Sequence, residues 1–286
     1  MTAAQLIPLI ISISIFLLVL ALGLDAERKD ALYLFHRPLL LFRSIASMNV
    51  VMVIIAAAIA LLVDMARPVE IALVALAISP VPPILPGKQR KAGGSERYAI
   101  GLLVAASLFS VLLAPLGVSL VGLLFGLHLG APPTRIAFIV LITVLAPLVT
   151  GIAVKRFLPE LAARVKRPTA LVAMVLLVLA CLPVLFTTWP VVWGLVGNGV
   201  ALVLIAFTLI GLLVGHSLGG PVAGDRTALA LATGTRHPGV AIAIISLNFP
   251  DEKAALAVVL YHLVVGTLVS IPYVRWRRKT ARSTLG

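Results

Sequence analysis

One arginine and one histidine stand where charge is costly. Arg236 and His237 lie deep in the apolar stretch 227–249, within Leu231-Ala232-Thr233-Gly234-Thr235-Arg236-His237-Pro238-Gly239. A charge at the centre of a bilayer costs about 2.5–3.5 kcal/mol on insertion scales, so such a group needs water, a partner or a ligand. A guanidinium holds a carboxylate or phosphate through two parallel N–H bonds, which suits Arg236 to anion recognition. It is equally suited to capping carbonyls released where Gly234, Pro238 and Gly239 interrupt a helix, and both readings stay open. His237 changes charge near neutral pH and offers either a switchable proton or a packing hydrogen bond. Thr233 and Thr235 bring hydroxyls to the same place, for a substrate or for their own helix. Ser44, Ser47 and Asn49 form a second polar group among Ile, Val and Met. Its first use is interhelical hydrogen bonding, and Ser47 and Asn49 complete the set of candidate substrate contacts.

The acids are placed differently. All ten carboxylates, including Asp64, Asp225 and Asp251, fall in links or at the ends of apolar stretches, and none lies near a stretch centre. Arg236 therefore has no acid to meet, and no carboxylate cage or buried relay is expected for a cation. Phosphate-loop, nucleophile-elbow and paired-histidine zinc motifs are all missing, so no catalytic residue, metal or cofactor is expected. The single cysteine, Cys181, leaves no intramolecular disulfide.

These residues need a frame, and composition supplies it. The chain has 286 residues, 61% hydrophobic and 12% charged, with a mean hydropathy of +1.16. Soluble domains carry about twice that charge, so the solvent here is lipid. Nine stretches approach the roughly 20 residues that cross the hydrocarbon core: 3–24, 40–63, 69–86, 98–125, 136–154, 169–187, 191–214, 227–249 and 253–274. Met1–Gln5 has no basic residue and the apolar run after it outlasts a signal-peptide core, so the first stretch reads as a retained span. The net charge of +13 sorts by side. Nineteen Lys and Arg follow the odd-numbered stretches, against Arg67, Arg135 and Lys253 opposite. Such a bias predicts the N-terminus outside and the C-terminus in the cytoplasm. It also removes nucleic acid as a partner, because the excess is spread over five short membrane-side segments.

Two stretches cannot be continuous helices. The third enters Ser79-Pro80-Val81-Pro82-Pro83-Ile84-Leu85-Pro86-Gly87, and the prolines Pro80, Pro82, Pro83 and Pro86 break the hydrogen-bond ladder. The eighth breaks at Gly234, Pro238 and Gly239. Broken backbone at membrane depth survives only when buried in protein or lining a wet cavity. Two breaks, five stretches apart and running in opposite directions, point to an inverted repeat with a site near the midplane. The expected units are 1–130 for the first repeat and 131–286 for the second, in one all-α polytopic membrane body.

The residues resemble a family. Ala21-Leu22-Gly23-Leu24 with His36-Arg37-Pro38, then Ser79-Pro80 with Ala114-Pro115, then the Ala232–Gly239 run are similar to segments of the bile acid:sodium symporter family. The resemblance covers nearly the whole chain, less one N-terminal helix present in ten-helix members. It implies a carrier in which a panel of helices moves against a core holding both broken helices. It also implies sodium ligands, and these positions have changed. The glutamate of the family's second motif falls at Ala232 and its glutamine at Arg236. A Ser-Asn pair falls at Leu85 and Pro86, and two hydroxyl positions fall near Ala99 and Leu103. Each has lost its oxygen, and a cation beside the site would repel sodium by about 4 kcal/mol at about 4 Å in a medium of effective dielectric 20.

The expectation is therefore a bacterial inner-membrane secondary transporter of a small organic anion, working by alternating access without the family's sodium sites. The different-class alternative is a non-transporting ligand sensor or assembly subunit on a carrier fold.

Overall fold

The computed structural model describes residues 3–82, 84–124, 132–196, 199–249 and 251–283. Among the described residues every regular element is helical, as lipid requires of a single chain without a closed barrel. Helix α1 is Ala3–Asp25, followed by one turn at Arg28–Ala31. Helix α2 runs Pro38–Leu62 and contains a π-helical turn at Ser47–Val51. Then come α3 (Arg67–Ile78), α4 (Leu85–Lys91) and α5 (Glu96–Leu124). Helix α6 joins Pro133–Val140 to Ala146–Phe157 through a second π-helical turn, Leu141–Leu145. The chain continues with α7 (Pro159–Val196), α8 (Val200–Leu218), α9 (Ala223–Gly234), α10 (Pro238–Asn248) and α11 (Lys253–Ser283). Proline opens α2, α3, α4 and α10, where its missing N–H costs nothing.

Among the described residues, six helices or broken helix pairs are long and apolar enough to cross a membrane: Pro38–Leu62, Glu96–Leu120, Ala137–Phe157, Val200–Leu218, Ala223–Asn248 and Lys253–Ala281. Leu9–Asp25 is a shorter apolar helix. Helix α3 has only 12 residues, because the chain leaves the helix at Ser79 before the prolines. Lipid replaces water around the perimeter, and Phe42, Ile54, Leu62, Leu112 and Leu123 are exposed there.

The helices sort into two packed groups. Helix α1 lies along α6 and α7. The backbones of α1 and α6 touch so closely that a Cβ at Gly23 would sit 2.5 Å from the Leu148 carbonyl oxygen. The other group holds α2–α5 and α8–α11, with α8 running beside α9 and α11 packed on α3 and α8. Gly211, Gly215 and Gly219 recur every fourth residue on one face of α8. A Cβ at Gly215 would lie 2.6 Å from Ala230 Cα, and one at Gly211 would lie 2.9 Å from the Thr233 carbonyl oxygen. Small residues at this spacing let helices approach in lipid, where no hydrophobic effect drives them together. That approach holds α9, and with it Arg236, against a fixed wall.

Candidate functional site

The site is built where the two broken helices meet. Helix α3 ends at Ser79, whose backbone turns extended, and Pro80 and Pro82 follow as buried, non-helical residues before α4. Helix α9 ends at Gly234. Thr235 and His237 are extended, and α10 starts at Pro238 with His237 as its N-cap, its Nδ1 accepting from the Val240 N–H at 3.4 Å. The two extended segments bond to each other: the His237 N–H donates to the Pro80 carbonyl at 3.0 Å. Each break thus satisfies part of the other, as buried backbone requires.

Arg236 completes the brace. Its side chain is 2% exposed and is the largest fully buried one. Nη2 donates to the Met48 carbonyl at 2.7 Å and Nη1 to the Ser79 carbonyl at 3.4 Å. Met48 lies in the π-helical turn of α2, where the shifted ladder turns a backbone oxygen toward another partner. One guanidinium therefore ties the α9–α10 break to the α3 break and to α2. Nε is buried with no hydrogen-bond partner. Among the described residues no carboxylate comes within ion-pair distance of Arg236.

The other candidates fall into three groups. Thr233 is buried and its Oγ1 lies 3.3 Å from Ser47 Oγ, which also donates to the Ser44 carbonyl at 2.8 Å. This pair joins α2 to α9 one turn before Arg236. His237 is 2% exposed, and its Nε2 is buried without a partner. Thr235, Pro238 and Gly239 are half-buried in the link itself. Gly239 faces the first group of helices, since a Cβ there would collide with Ile15 of α1. Asn49 stands apart: it is half-buried and its Nδ2 donates to the Ile45 carbonyl of its own helix at 3.4 Å. Pro86 is buried in the first turn of α4, and Pro83 lies outside the described residues.

Of the six positions at which the sequence resemblance would place sodium ligands, all but Arg236 are apolar and closed. Ala232, Leu85, Ala99 and Leu103 are at most 2% exposed, and Pro86 is buried. Among the described residues no group of three His, Cys, Asp or Glu side chains is placed to hold a metal ion.

A second polar assembly, which sequence reasoning missed, occupies the basic end of the molecule. Asp225 in the first turn of α9 is 1% exposed, at a helix end that favours negative charge. Its Oδ2 accepts from the Tyr33 hydroxyl at 3.2 Å, and the Ser95 hydroxyl also hydrogen-bonds the carboxylate. Tyr33 in turn accepts from Arg37, whose guanidinium stands 4.3 Å over the Tyr33 ring. Burial first, and the Asp225 charge after it, push the Tyr33 phenol up, so it keeps its proton and remains a donor. Around them Gln89 donates to the Ala228 carbonyl at 2.6 Å, and Arg277 donates to Thr227 Oγ1 at 2.8 Å and the Ala223 carbonyl at 3.1 Å. From sequence Asp225 is an ordinary helix-start acid. The signal that could have marked it is the glycine spacing of α8, which presses α9 inward.

Comparison with characterised proteins returns no significant match. The Sodium Bile acid symporter family matches residues 12–194, from within α1 to near the end of α7, and so includes the first break but not the second. With well over half of the chain matched, the all-helical frame and the apolar helices in agreement, this protein is an integral membrane member of the Sodium Bile acid symporter family, a family of transport proteins.

Proposed function

We propose that the protein is a secondary transporter that moves a small organic anion across the bacterial inner membrane without the sodium sites of its family. The observation that carries this reading is Arg236, buried at the crossing with two carbonyls on its Nη atoms and no acid beside it. A guanidinium that gathers carbonyl oxygens from Met48 and Ser79 does what a bound cation would do there. It is tethered, so the charge need not be drawn from solution. Nε of Arg236 and Nε2 of His237 remain unsatisfied, and buried polar atoms of this kind call for a partner. An anionic group of the substrate supplies it, with Thr233, Thr235 and Ser47 as the accompanying contacts.

The cycle follows from the two packed groups. Helices α1, α6 and α7 form the panel, and the remaining helices form the core that carries both breaks. The nine crossings, counted with α3–α4 and α9–α10 as one each, divide into repeats 1–130 and 131–286 of opposite orientation. The N-terminus lies outside and the C-terminus in the cytoplasm, as the basic links suggest. Contact between Ile15 and the Gly239 backbone closes the crossing on the panel side in this conformation. Sliding of the core along α1 would open it.

The test is uptake into proteoliposomes of a panel of small carboxylates, with and without a sodium gradient. Sodium-independent flux that fails in Arg236→Gln supports the proposal. A second reading, a non-transporting sensor or assembly subunit, draws on the closed crossing, where Arg236 and His237 are both 2% exposed. It predicts ligand-induced thermal stabilisation with no flux for any carboxylate in the panel.

A further inference from the structure

A carrier without sodium ligands can take another driving ion, and Asp225, the most buried acid among the described residues, plays no part in the crossing. We propose that Asp225 is a reversible proton-binding site, reached from a carboxylate-lined cavity at the basic end, and that its proton is the coupling ion of the transport cycle. The coupling half rests on the carrier reading above; the proton site itself does not.

The first support is the state of the acid. Asp225 is 1% exposed, and its carboxylate is met by two hydroxyls, Tyr33 at 3.2 Å on Oδ2 and Ser95 from the cavity wall. Among the described residues no lysine or arginine lies within ion-pair distance, whereas Asp25, Glu27, Asp30, Glu96 and Glu252 all have one. Burying an unpaired carboxylate costs several kcal/mol, and binding a proton removes that cost. The helix N-terminus offsets part of that cost by favouring the charged form.

The second support is access. A surface cavity of about 500 Å³ is lined by Asp25, Glu27, Asp30, Glu96 and Ser95, together with Lys29 and Arg97. Carboxylates gathered in a cleft raise the local concentration of cations, protons included. The Ser95 N–H donates to the Gly224 carbonyl at 3.1 Å, so the cavity wall lies one residue from Asp225. The Ser95 hydroxyl also accepts from the Tyr98 N–H at 3.3 Å.

The third support is a hydroxyl line that continues inward. Tyr98 stands edge-on to Tyr33 with ring centroids 6.4 Å apart. The fully buried Tyr98 hydroxyl lies 2.6 Å from Ser44 Oγ, the Ser44 carbonyl accepts from Ser47, and Ser47 faces Thr233. The line ends three residues before Arg236. A change of charge on Asp225 is thus felt by groups that join α2, α5 and α9.

The remaining ionisable neighbours are placed as follows. Tyr33 and Arg37 face the acid from the link after α1, and Tyr98 faces it from α5. Arg277 and Tyr273 on α11 are turned to Thr227. His216 on α8 hydrogen-bonds Tyr273 at 2.8 Å, and Lys88 on α4 donates to Ser270 at 2.7 Å. The step is simple: a hydronium ion in the cavity gives its proton to Oδ1, an O–H bond forms, water remains, and one carboxylate charge disappears. The reverse step returns the proton to water.

Two measurements on the full-length protein test this. In nanodiscs, pH-difference infrared spectra of the wild type should show a carboxyl stretch that Asp225→Asn lacks and that Asp225→Glu restores; a melting scan confirms that each variant folds. In proteoliposomes, taurocholate and succinate uptake should respond to a pH gradient of one polarity, with up to about tenfold accumulation per coupled proton for a gradient of about one unit. Asp225→Asn should lose that response while exchange without a gradient persists. A carboxyl signal unchanged in Asp225→Asn, or a gradient response that survives the substitution, overturns the proposal. Absence of exchange for the wild type with no gradient would overturn the carrier reading instead, and the infrared result would still decide the proton site.

Discussion

Helix α9 has opposite problems at its two ends. Just past the end at the crossing, Arg236 is a buried cation whose Nε lacks an acceptor; at the basic end, Asp225 is a buried acid met by hydroxyls and by no cation within ion-pair distance among the described residues. They are eleven positions apart, roughly 15–20 Å with nine helical steps of 1.5 Å and two longer steps beyond the helix. At that distance and an effective dielectric of 20 their attraction is only about 1 kcal/mol, too little to count as an ion pair. The two charges must be stabilised locally, and the means differ. Arg236 draws on carbonyls freed by broken helices, which are fixed backbone groups. Asp225 draws on two hydroxyls and a helix end. On the proposal above, one end is a permanent charge and the other a switchable one.

This contrast can be broken most severely at Arg236. Replacing it with Ala leaves the Met48 and Ser79 carbonyls without their donor, and losing hydrogen bonds to a charged group costs about 1.5–3 kcal/mol each. Thermal melting in detergent should show the drop, and carboxylate binding should weaken at least in proportion. Arg236→Gln, which keeps donors and removes the charge, should recover much of the stability but not the binding. Unchanged anion binding in that variant would mean that Arg236 only braces the breaks.

A somewhat smaller loss is expected from Gly215→Val on α8. The added carbons would meet the Ala230 backbone, and overpacking of this kind costs about 1–3 kcal/mol. Because α9 carries Asp225 and leads directly into Arg236, the substitution should lower the melting temperature and impair both ends together. Selective loss at one end would show that the ends are positioned independently.

Two milder substitutions sharpen the hydroxyl line between them. Tyr98→Phe removes the contact to Ser44 and should cost about 1 kcal/mol. Ser47→Ala and Thr233→Val, alone and combined, should show a coupling of about 0.6 kcal/mol, typical of hydrogen bonds between membrane helices. A double-mutant cycle on melting free energies measures it, and zero coupling would remove the Ser47–Thr233 link from the account.

Much of the crossing is legible in the sequence because its signals are categorical. Proline cannot continue a helix, so Pro80 and Pro82 announce the first break, and Gly234 with Pro238 announces the second. An arginine in an apolar stretch is conspicuous for the same reason. What the sequence conceals is which apolar face meets lipid and which meets protein. Leu112 and Leu103 lie on the same helix, one exposed and the other buried, and nothing in their identity separates them. The π-helical turn at Ser47–Val51 has no compositional mark, so the Met48 carbonyl as a partner for Arg236 was out of reach. Asp225 was placed correctly at a helix end, but position along the chain does not say that Tyr33, Gln89 and Arg277 converge around that end. Asn49 shows the converse, a polar residue in a promising place that bonds to its own helix.

The central claim is that Arg236 supplies, as a fixed part of the chain, the positive charge that relatives with intact sodium ligands take from solution. Its most direct test is carboxylate flux into proteoliposomes measured with and without an inward sodium gradient, at a constant membrane potential set by potassium and valinomycin. The account predicts equal initial rates in the two conditions and loss of flux in Arg236→Gln. Uptake that rises steeply with the sodium gradient, or that persists in the variant, would contradict it.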